Sequence, residues 1–203
     1  MGYLLAIILG YLLGCSSMAF YISKHKNVDL RTHGSGNLGT SNTAIVLGWG
    51  PGIAVGLHDI GKGALAVWLA SFLFPDLPFV GALAGVACVF GHNYPFYLRF
   101  KGGKGFAAFV GMMLMLNWKM GLLLLVAVAV ITVVTDYLVV GTFTTIAAVP
   151  VWQGIENRSV ILFLILLAGS GIILWQHREN ITRLRNGTEI GLRSTAKGEK
   201  RIK

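Results

Sequence analysis

Eight apolar runs, joined by short polar connections, constrain the fold of this chain more than any other feature. The runs lie at about 3–22, 43–57, 60–74, 78–98, 105–117, 120–134, 137–151 and 159–175. With 55% of its 203 residues hydrophobic and 12% charged, the chain has no polar stretch long enough for a separate soluble domain. Helices satisfy their own backbone hydrogen bonds in lipid, so the pattern predicts an all-α integral membrane protein with a single domain over residues 1–203.

The positive charges predict the topology. Lys and Arg cluster in the connections 23–42 and 99–104 and in the C-terminal tail 176–203, and all three are expected in the cytoplasm. The number of crossings between the two connections must then be even, although three apolar runs separate them. We expect the glycine-rich run 43–57, which also contains Pro51, to be re-entrant or interfacial. About seven transmembrane helices then remain, with the N-terminus outside and the C-terminus cytoplasmic.

The composition also narrows the partners. A formal net charge of +9 is compatible with nucleic-acid binding, but the cations avoid the apolar runs and gather beside them. Anionic lipid and anionic substrates explain that distribution better, so no nucleic acid is expected. Cys15 and Cys88 lie inside apolar runs and are interpreted as packing residues without a disulfide. No spacing of His, Asp and Glu indicates a metal site, so neither a metal nor another cofactor is expected.

The first polar cluster follows the first apolar run and reads GSGNLGTSN over residues 34–42. It contains a formal GxGxxG, but a dinucleotide-binding loop of that pattern follows a β-strand, whereas this one follows a membrane span. The sequence instead predicts a loop whose hydroxyl, amide and backbone donors hold phosphate oxygens. The alternative is a flexible polar turn. The candidate binding residues are Ser35, Gly36, Asn37, Thr40, Ser41 and Asn42.

A second cluster, Asp59, Lys62 and Gly63, lies between two apolar runs. Ionisable groups at membrane depth are costly, so they usually pair with one another or line a polar cavity. Asp59 and Lys62 stand at i and i+3 and could neutralise each other on one turn of a helix. A pairing role and a role in a site therefore both stay open.

The third cluster, GHNYPFYLRFKGGKG over residues 91–105, combines cations with glycines. Its cations could simply anchor the chain to anionic headgroups. Headgroup anchoring needs no glycines, however, and glycine lets a backbone approach an anion closely. We therefore expect Lys101, Gly102, Gly103 and Lys104 to surround a bound phosphate with backbone N–H groups and positive charge.

The fourth cluster begins where the last apolar run ends, and its His177 and Asn180 are expected to emerge together and turn inward. On a helix, Arg178, Arg183 and Arg185 would instead reach the interface or the solvent. Solvated His and Asn side chains are the alternative. The predicted topology brings all four clusters to one face of the membrane, as an enzyme requires and a simple anchor does not.

These blocks, in this order, resemble those of the bacterial acyl-phosphate:glycerol-3-phosphate acyltransferases. The resemblance rests on GSGNLGTSN, Asp59-x-x-Lys62-Gly63, GHNYPFYLRFKGGKG, and HRENI-x-RL from His177 followed by Gly187-Thr188-Glu189. It implies that a fatty acyl group passes from acyl phosphate to the 1-hydroxyl of sn-glycerol 3-phosphate, giving lysophosphatidic acid and inorganic phosphate. This would be the first acylation step of phospholipid synthesis, at the cytoplasmic face of the bacterial inner membrane. The implied partners are these two substrates, membrane lipid and the enzyme that makes acyl phosphate.

The resemblance also implies roles for individual residues. The implied catalytic residues are Ser35, Lys104, His177 and Asn180. The implied substrate-binding residues are Gly36, Asn37, Thr40, Ser41, Asn42, Asp59, Lys62, Gly63, His92, Lys101, Gly102, Gly103, Thr142 and Glu189. Neither a His-x4-Asp pair nor a GxSxG elbow occurs in the chain. We therefore hypothesise that a phosphate oxygen of a substrate accepts the proton of the attacking hydroxyl.

The chain departs from the family pattern at several positions. Ile45 stands where an arginine is common, Asp136 where a cation is common, and Val139 where a serine is common. Lys62 or Arg31 is the candidate to compensate for the missing arginine.

A transporter for a phosphorylated metabolite is the alternative function. Carriers also use broken helices with polar groups at membrane depth. The clustering of polar groups on one face, and the lack of an apparent inverted repeat, favour the enzyme.

Overall fold

The computed structural model describes residues 1–191 and 193, and within them the chain forms helices joined by loops, with no β-strand. The helices are α1 (Gly2–Cys15), α2 (Met18–His25), α3 (Thr40–Leu47), α4 (Trp49–Leu73), α5 (Val80–Asn93), α6 (Phe106–Leu116), α7 (Trp118–Thr135), α8 (Leu138–Glu156), α9 (Val160–Gln176) and α10 (Arg178–Arg185), with a 3₁₀ turn at Phe96–Leu98. The predicted all-α architecture is confirmed. The cations of the predicted tail from Lys197 onward lie outside the described residues.

The helices alternate in direction between two ends of the bundle. At one, here called the far end, Tyr3 Oη donates a hydrogen bond to Pro78 O in the α4–α5 connection. At the other, the site end, the connection after α2 meets the α5–α6 loop and the residues that follow α9. Seven segments run between the two ends, namely α1 with α2, α4, α5, α6, α7, α8 and α9. The N-terminus and the last described residues therefore lie at opposite ends.

Several of these segments have the length and composition of membrane spans. Among the described residues, four helical segments are both long enough and apolar enough to cross a membrane, namely Gly2–His25, Trp49–Leu73, Trp118–Thr135 and Leu138–Glu156. The pair α9 and α10, which is bent by 54°, would make a fifth. Large apolar side chains such as Phe72 and Val134 remain exposed on the outer surface, as contact with lipid requires. The multi-pass membrane fold is confirmed, while the number of seven spans and the outside position of the N-terminus stay predictions.

Small residues let α5 and α6 pack closely against their neighbours. A Cβ added at Gly10 or Gly14 of α1 would collide with the backbone of α5. A Cβ at Gly63 of α4 would collide with the backbone of Ala108 in α6. Such close approach is how helices associate in lipid, where no hydrophobic force drives them together. Gly63 therefore serves helix packing, which corrects its predicted role in substrate binding.

The run 43–57 is divided between the short helix α3 and the first turns of α4, which pack against each other, and its re-entrant or interfacial position stays a prediction. Only Gly48, with a φ of 93°, separates α3 from α4, and α4 then continues unbroken for 25 residues. Pro51 lies in the first turn of α4, where its missing N–H is not needed, so it does not interrupt the helix. Gly52 and Gly56 lie against α3 and let α3 and α4 pack closely. As a consequence, Asp59 and Lys62 lie in the middle of a helix rather than between two segments.

Candidate active site

A cavity of about 360 Å³ opens at the site end of the bundle. All four polar clusters contribute to its lining. The predicted site residues that line it are Ser35, Asn37, Thr40, Ser41, Asn42, Asp59, His92, Lys104, Thr142, His177, Asn180 and Glu189. The predicted site residues that do not line it are Gly36, Lys62, Gly63, Lys101, Gly102 and Gly103.

One wall of the cavity is apolar. Ile45, Trp49 and Ile53 contribute to it from α3 and α4, and Leu138 and Val139 from α8. Trp49 and Ile53 are 53% and 56% exposed, so this wall continues onto the surface that faces lipid. A polar floor beside an apolar wall that opens to lipid suits a ligand with a charged head and a hydrocarbon tail.

Asn42 holds the loop that carries the first polar cluster. Its Nδ2 lies 2.9 to 3.1 Å from the carbonyl oxygens of Leu30, His33 and Asn37, and its Oδ1 accepts the Ser35 N–H at 2.7 Å. The side chain is 1% exposed, and these contacts occupy both ends of its amide. Asn42 therefore positions the loop, and with it the Ser35 side chain, rather than offering its amide to a ligand.

A buried ion cluster, here defined as Asp59, Lys62 and His92, connects α4 with α5. Lys62 Nζ donates to Asp59 Oδ1 at 2.8 Å and to Ser16 O at 2.7 Å, and it lies 2.7 Å from His92 Nδ1. An ammonium group has three protons, so Lys62 has none left for a ligand. The predicted pairing of Asp59 with Lys62 is confirmed, and Lys62 does not line the cavity. Asp59 and His92 still line one side of the cavity.

The glycines of the α5–α6 loop do not form the predicted phosphate nest. Gly102 N donates to Asn93 O at 3.0 Å, and Gly103 N donates to His92 O at 3.1 Å. A Cβ at either glycine would collide with the end of α5. These glycines let the loop lie directly on α5, and Lys101 is exposed and does not line the cavity. The close packing turns the next residue, Lys104, into the cavity.

The backbone N–H groups that suit an anion lie at the start of α6, directly after Lys104. Gly105 precedes α6 with a φ of 85°, and no side chain caps the helix. Gly105, Phe106 and Ala107 line the cavity beside Lys104. The first N–H groups of a helix have no partner within it and carry partial positive charge. The start of α6 and Lys104 together therefore present a positive pole to the cavity.

Lys104 begins a chain of polar contacts that we call the Lys104–Arg183 chain. Lys104 Nζ donates to Asn180 Oδ1, Asn180 Nδ2 donates to Glu189 Oε1 at 2.6 Å, and Arg183 Nε donates to Glu189 Oε2 at 2.8 Å. All four side chains line the cavity. Burial, reinforced by the charge of Arg183, lowers the pKa of Lys104 to about 8. The chain joins the α5–α6 loop, α10 and the segment after α10 around one cavity.

His177 lies between α9 and α10 with its ring held in one orientation. Its Nδ1 lies 2.8 Å from Ile173 O, and its ring meets Phe143 edge to face with centroids 5.9 Å apart. A carbonyl oxygen only accepts, so Nδ1 carries the proton. In the neutral ring, Nε2 is then left as a hydrogen-bond acceptor at the cavity.

Arg183 is a cavity residue that the sequence reasoning missed, because it was expected to face solvent. His177, Asn180 and Arg183 recur every three residues, and that spacing could have indicated one shared face of α10. Among the described residues that line the cavity, Lys104 and Arg183 are the two with a Lys or Arg side chain. Arg31, proposed as a compensating cation, instead pairs with Asp29 at 2.9 Å on the surface.

The fold and the site together define a multi-pass membrane protein with a cavity in which Lys104 and Arg183 lie close to an apolar wall. The family model for glycerol-3-phosphate acyltransferase matches residues 4–187. The chain belongs to this family and is an acyltransferase.

Several relatives are similar over most of their length. The glycerol-3-phosphate acyltransferase of Halalkalibacterium halodurans is 41% identical over 199 aligned positions, covering 93% of this chain and 94% of its own. The enzyme of that name from Thermoanaerobacter sp. strain X514 is 36% identical over 190, covering 93% and 94%. The crystal structure of PlsY, an integral membrane glycerol 3-phosphate acyltransferase in its glycerol 3-phosphate form, superposes with a TM-score of 0.90 at 30% identity, covering 97% of this chain and 98% of PlsY. Its lysophosphatidic acid form superposes with a TM-score of 0.85 at 30% identity, covering 94% and 95%.

Proposed function

We propose that the protein transfers a fatty acyl group from acyl phosphate to the 1-hydroxyl of sn-glycerol 3-phosphate. The products are lysophosphatidic acid and inorganic phosphate. One observation carries the proposal: the cavity joins a positive pole, made by Lys104 and the start of α6, to an apolar wall that opens to lipid. Family membership supports glycerol 3-phosphate as the acceptor, and PlsY has been crystallised in glycerol 3-phosphate and lysophosphatidic acid forms.

The two ends of the cavity account for the two parts of an acyl phosphate. The phosphate lies at the positive pole, where Lys104 supplies a full charge and the α6 N–H groups supply donors. The hydrocarbon tail follows the wall of Ile45, Trp49, Ile53 and Leu138 towards the lipid. Arg183 adds the second positive charge that a second phosphate, that of the acceptor, requires.

The reaction needs positioning and charge neutralisation more than a protein base. The acceptor hydroxyl oxygen attacks the acyl carbonyl carbon, a new C–O ester bond forms, and the bond from that carbon to the phosphate oxygen breaks. The released phosphate oxygen takes the hydroxyl proton. Lys104 and the α6 N–H groups neutralise the charge that develops on the leaving phosphate, a contribution that usually dominates such reactions. His177 Nε2, as an acceptor, is available to the other hydroxyl of glycerol 3-phosphate.

The remaining predicted residues support this arrangement in different ways. Ser35 is the hydroxyl that the Asn42-held loop presents to the cavity. Asn180 and Glu189 hold Lys104 and Arg183 in place through the Lys104–Arg183 chain. Thr142 donates to Leu138 O at 3.2 Å and lines the wall beside the tail.

We further propose that the cavity faces the cytoplasm across a bacterial inner membrane. The cations of the connections 23–42 and 99–104 gather at the site end, where the positive-inside rule would put the cytoplasm. Acyl phosphate hydrolyses in water and carries a lipid tail, so an enzyme that makes it is the expected partner on this side of the membrane.

The test is a comparison of acyl donors with purified, full-length protein in detergent micelles. Radiolabelled glycerol 3-phosphate is supplied with either palmitoyl phosphate or palmitoyl-CoA, and labelled lysophosphatidic acid is extracted and counted. We expect product from acyl phosphate and none above background from acyl-CoA. Equal or exclusive use of acyl-CoA would contradict the donor assignment. Unmodified glycerol 3-phosphate accumulating in proteoliposomes, with no acylated product, would instead support the transporter.

A further inference from the structure

Thr132, on α7, is a cavity residue with no role in the arrangement described above. It is 6% exposed, and it lines the active-site cavity. Its hydroxyl is buried and has no hydrogen-bond partner among the described residues. A buried hydroxyl without a partner destabilises a folded protein, so its presence beside a binding cavity requires an explanation.

Other threonines in α7 and α8 show that a threonine hydroxyl in a helix can find a hydrogen-bond partner within the same helix. Thr135, Thr142 and Thr144 each donate their hydroxyl to the carbonyl oxygen four residues earlier, at 2.6 to 3.2 Å. The same contact would be open to Thr132 through Val128, but the hydroxyl does not make it. Thr132 therefore holds an unused donor and acceptor in a side chain that lines the cavity.

We propose that the Thr132 hydroxyl binds an uncharged oxygen of a substrate in the active-site cavity. The phosphate oxygens are expected at Lys104 and Arg183, which supply full positive charge. A neutral hydroxyl, able both to donate and to accept, suits a neutral partner such as a carbonyl or another hydroxyl. This inference rests on the proposed function, in which the oxygen belongs either to the carbonyl of the acyl donor or to a hydroxyl of glycerol 3-phosphate.

Thr132→Val tests the proposal because valine keeps the shape and removes the hydroxyl. The unliganded variant is expected to melt at or above the temperature of the wild type, since a costly buried group has been replaced by an apolar one. In the acyl-transfer assay, KM for one of the two substrates is expected to rise about three- to tenfold, as the loss of one neutral hydrogen bond predicts. A rise for glycerol 3-phosphate identifies the acceptor hydroxyl, and a rise for the acyl donor identifies the carbonyl. Thr132→Ser, which keeps the hydroxyl, should restore binding.

Ser170→Ala provides the matched control. The Ser170 hydroxyl is also buried without a partner among the described residues, but Ser170 does not line the cavity. Its removal should leave both KM values unchanged. Equal kinetics for Thr132→Val and Ser170→Ala would overturn the proposal, and so would a lower melting temperature for Thr132→Val, because the hydroxyl would then have a structural role.

A second measurement separates this inference from the proposed function. The rise in melting temperature on adding glycerol 3-phosphate or lysophosphatidic acid reports binding whichever donor the enzyme uses. If acyl phosphate proves not to be the donor, a smaller shift for Thr132→Val than for wild type with either ligand still supports the role of Thr132. Equal shifts with both ligands, together with unchanged KM values for the donor that works, contradict it.

Discussion

Two polar networks lie at the same end of the bundle but differ in whether their groups are already satisfied. The buried ion cluster joins two helices, and the Lys62 ammonium already has three partners. The Lys104–Arg183 chain joins a loop, a short helix and the segment after it, and it lines the cavity throughout. The Lys62 ammonium is enclosed within its cluster and contributes mainly to structure, whereas every side chain of the Lys104–Arg183 chain faces the cavity, as do Asp59 and His92 of the cluster. The comparison separates the residues that hold the site from those that use it.

One contact connects the two networks. His92, a member of the buried ion cluster, accepts the Gly103 N–H through its backbone carbonyl, and Lys104 follows directly. The buried ion cluster therefore supports the Lys104–Arg183 chain through the α5–α6 loop. Substitutions that change stability without activity, or activity without stability, test this division.

Lys62→Met should have the largest effect on stability. It leaves the Asp59 carboxylate buried without its closest cation, and removing one partner of a buried pair typically costs about 3–5 kcal/mol. We expect a large drop in melting temperature in detergent. The double variant with Asp59→Asn should recover part of the loss, since no charge then remains unpaired. A melting temperature within a degree or two of wild type for the single variant would show that the cluster is not structural.

Gly103→Ala should have the next largest effect, and it should act on both networks. The added Cβ would collide with the His92 ring and with Leu38 O, and such overpacking costs about 1–3 kcal/mol. The rate of acyl transfer should fall as well, because Lys104 is displaced. Gly61→Ala is the control: its Cβ would meet no atom within 4 Å, and alanine in a helix should be neutral or stabilising. Normal activity for Gly103→Ala would disconnect the loop packing from the site.

The activity should depend on pH through Lys104. Its pKa is lowered to about 8, so kcat/KM for the acyl donor should fall about tenfold per pH unit above that value as the charge is lost. Lys104→Arg, whatever its overall rate, should remove this fall because arginine stays charged. Unfolded lysine keeps its proton up to a pKa of about 10.4, so the stability contribution of this residue should rise with pH between the two values. A Lys104→Arg profile that still falls above pH 8 would assign the titration to another group.

Asp136→Asn should give the smallest effect. Asp136 Oδ1 accepts the Arg193 N–H at 2.7 Å and so fastens the segment that carries Glu189 to the end of α7. The contact is exposed, so its loss should weaken substrate binding by less than about 1 kcal/mol. We expect a two- to threefold rise in KM for glycerol 3-phosphate. Arg31→Gln, which breaks an exposed pair away from the cavity, should leave KM unchanged. If both variants behave alike, the attachment of this segment does not influence the site.

The sequence predicted the fold class and much of the lining of the site, but not how each residue acts. Apolar runs and positive connections were enough to bring four polar clusters to one end. Pro51 was read as a helix breaker because its place in the first turn of α4 depends on where that helix begins. Gly102 and Gly103 resembled a phosphate nest because only the folded chain shows that their N–H groups bind α5. Nothing local distinguishes Thr132 from threonines that bond to their own helix, so its free hydroxyl was invisible.

The most direct test of the division is Lys104→Met, measured beside Lys101→Met for both melting temperature and initial rate of acyl transfer from acyl phosphate. Lys104 lines the cavity and is partly buried at a cost that lowers its pKa, whereas Lys101 is exposed in the same loop. We expect Lys104→Met to melt at or above the wild-type temperature and to lose roughly 10²–10³-fold in rate, as removal of one charge-stabilising donor does. Lys101→Met should stay close to wild type in both. A folded Lys104→Met variant with a near wild-type rate would contradict the account.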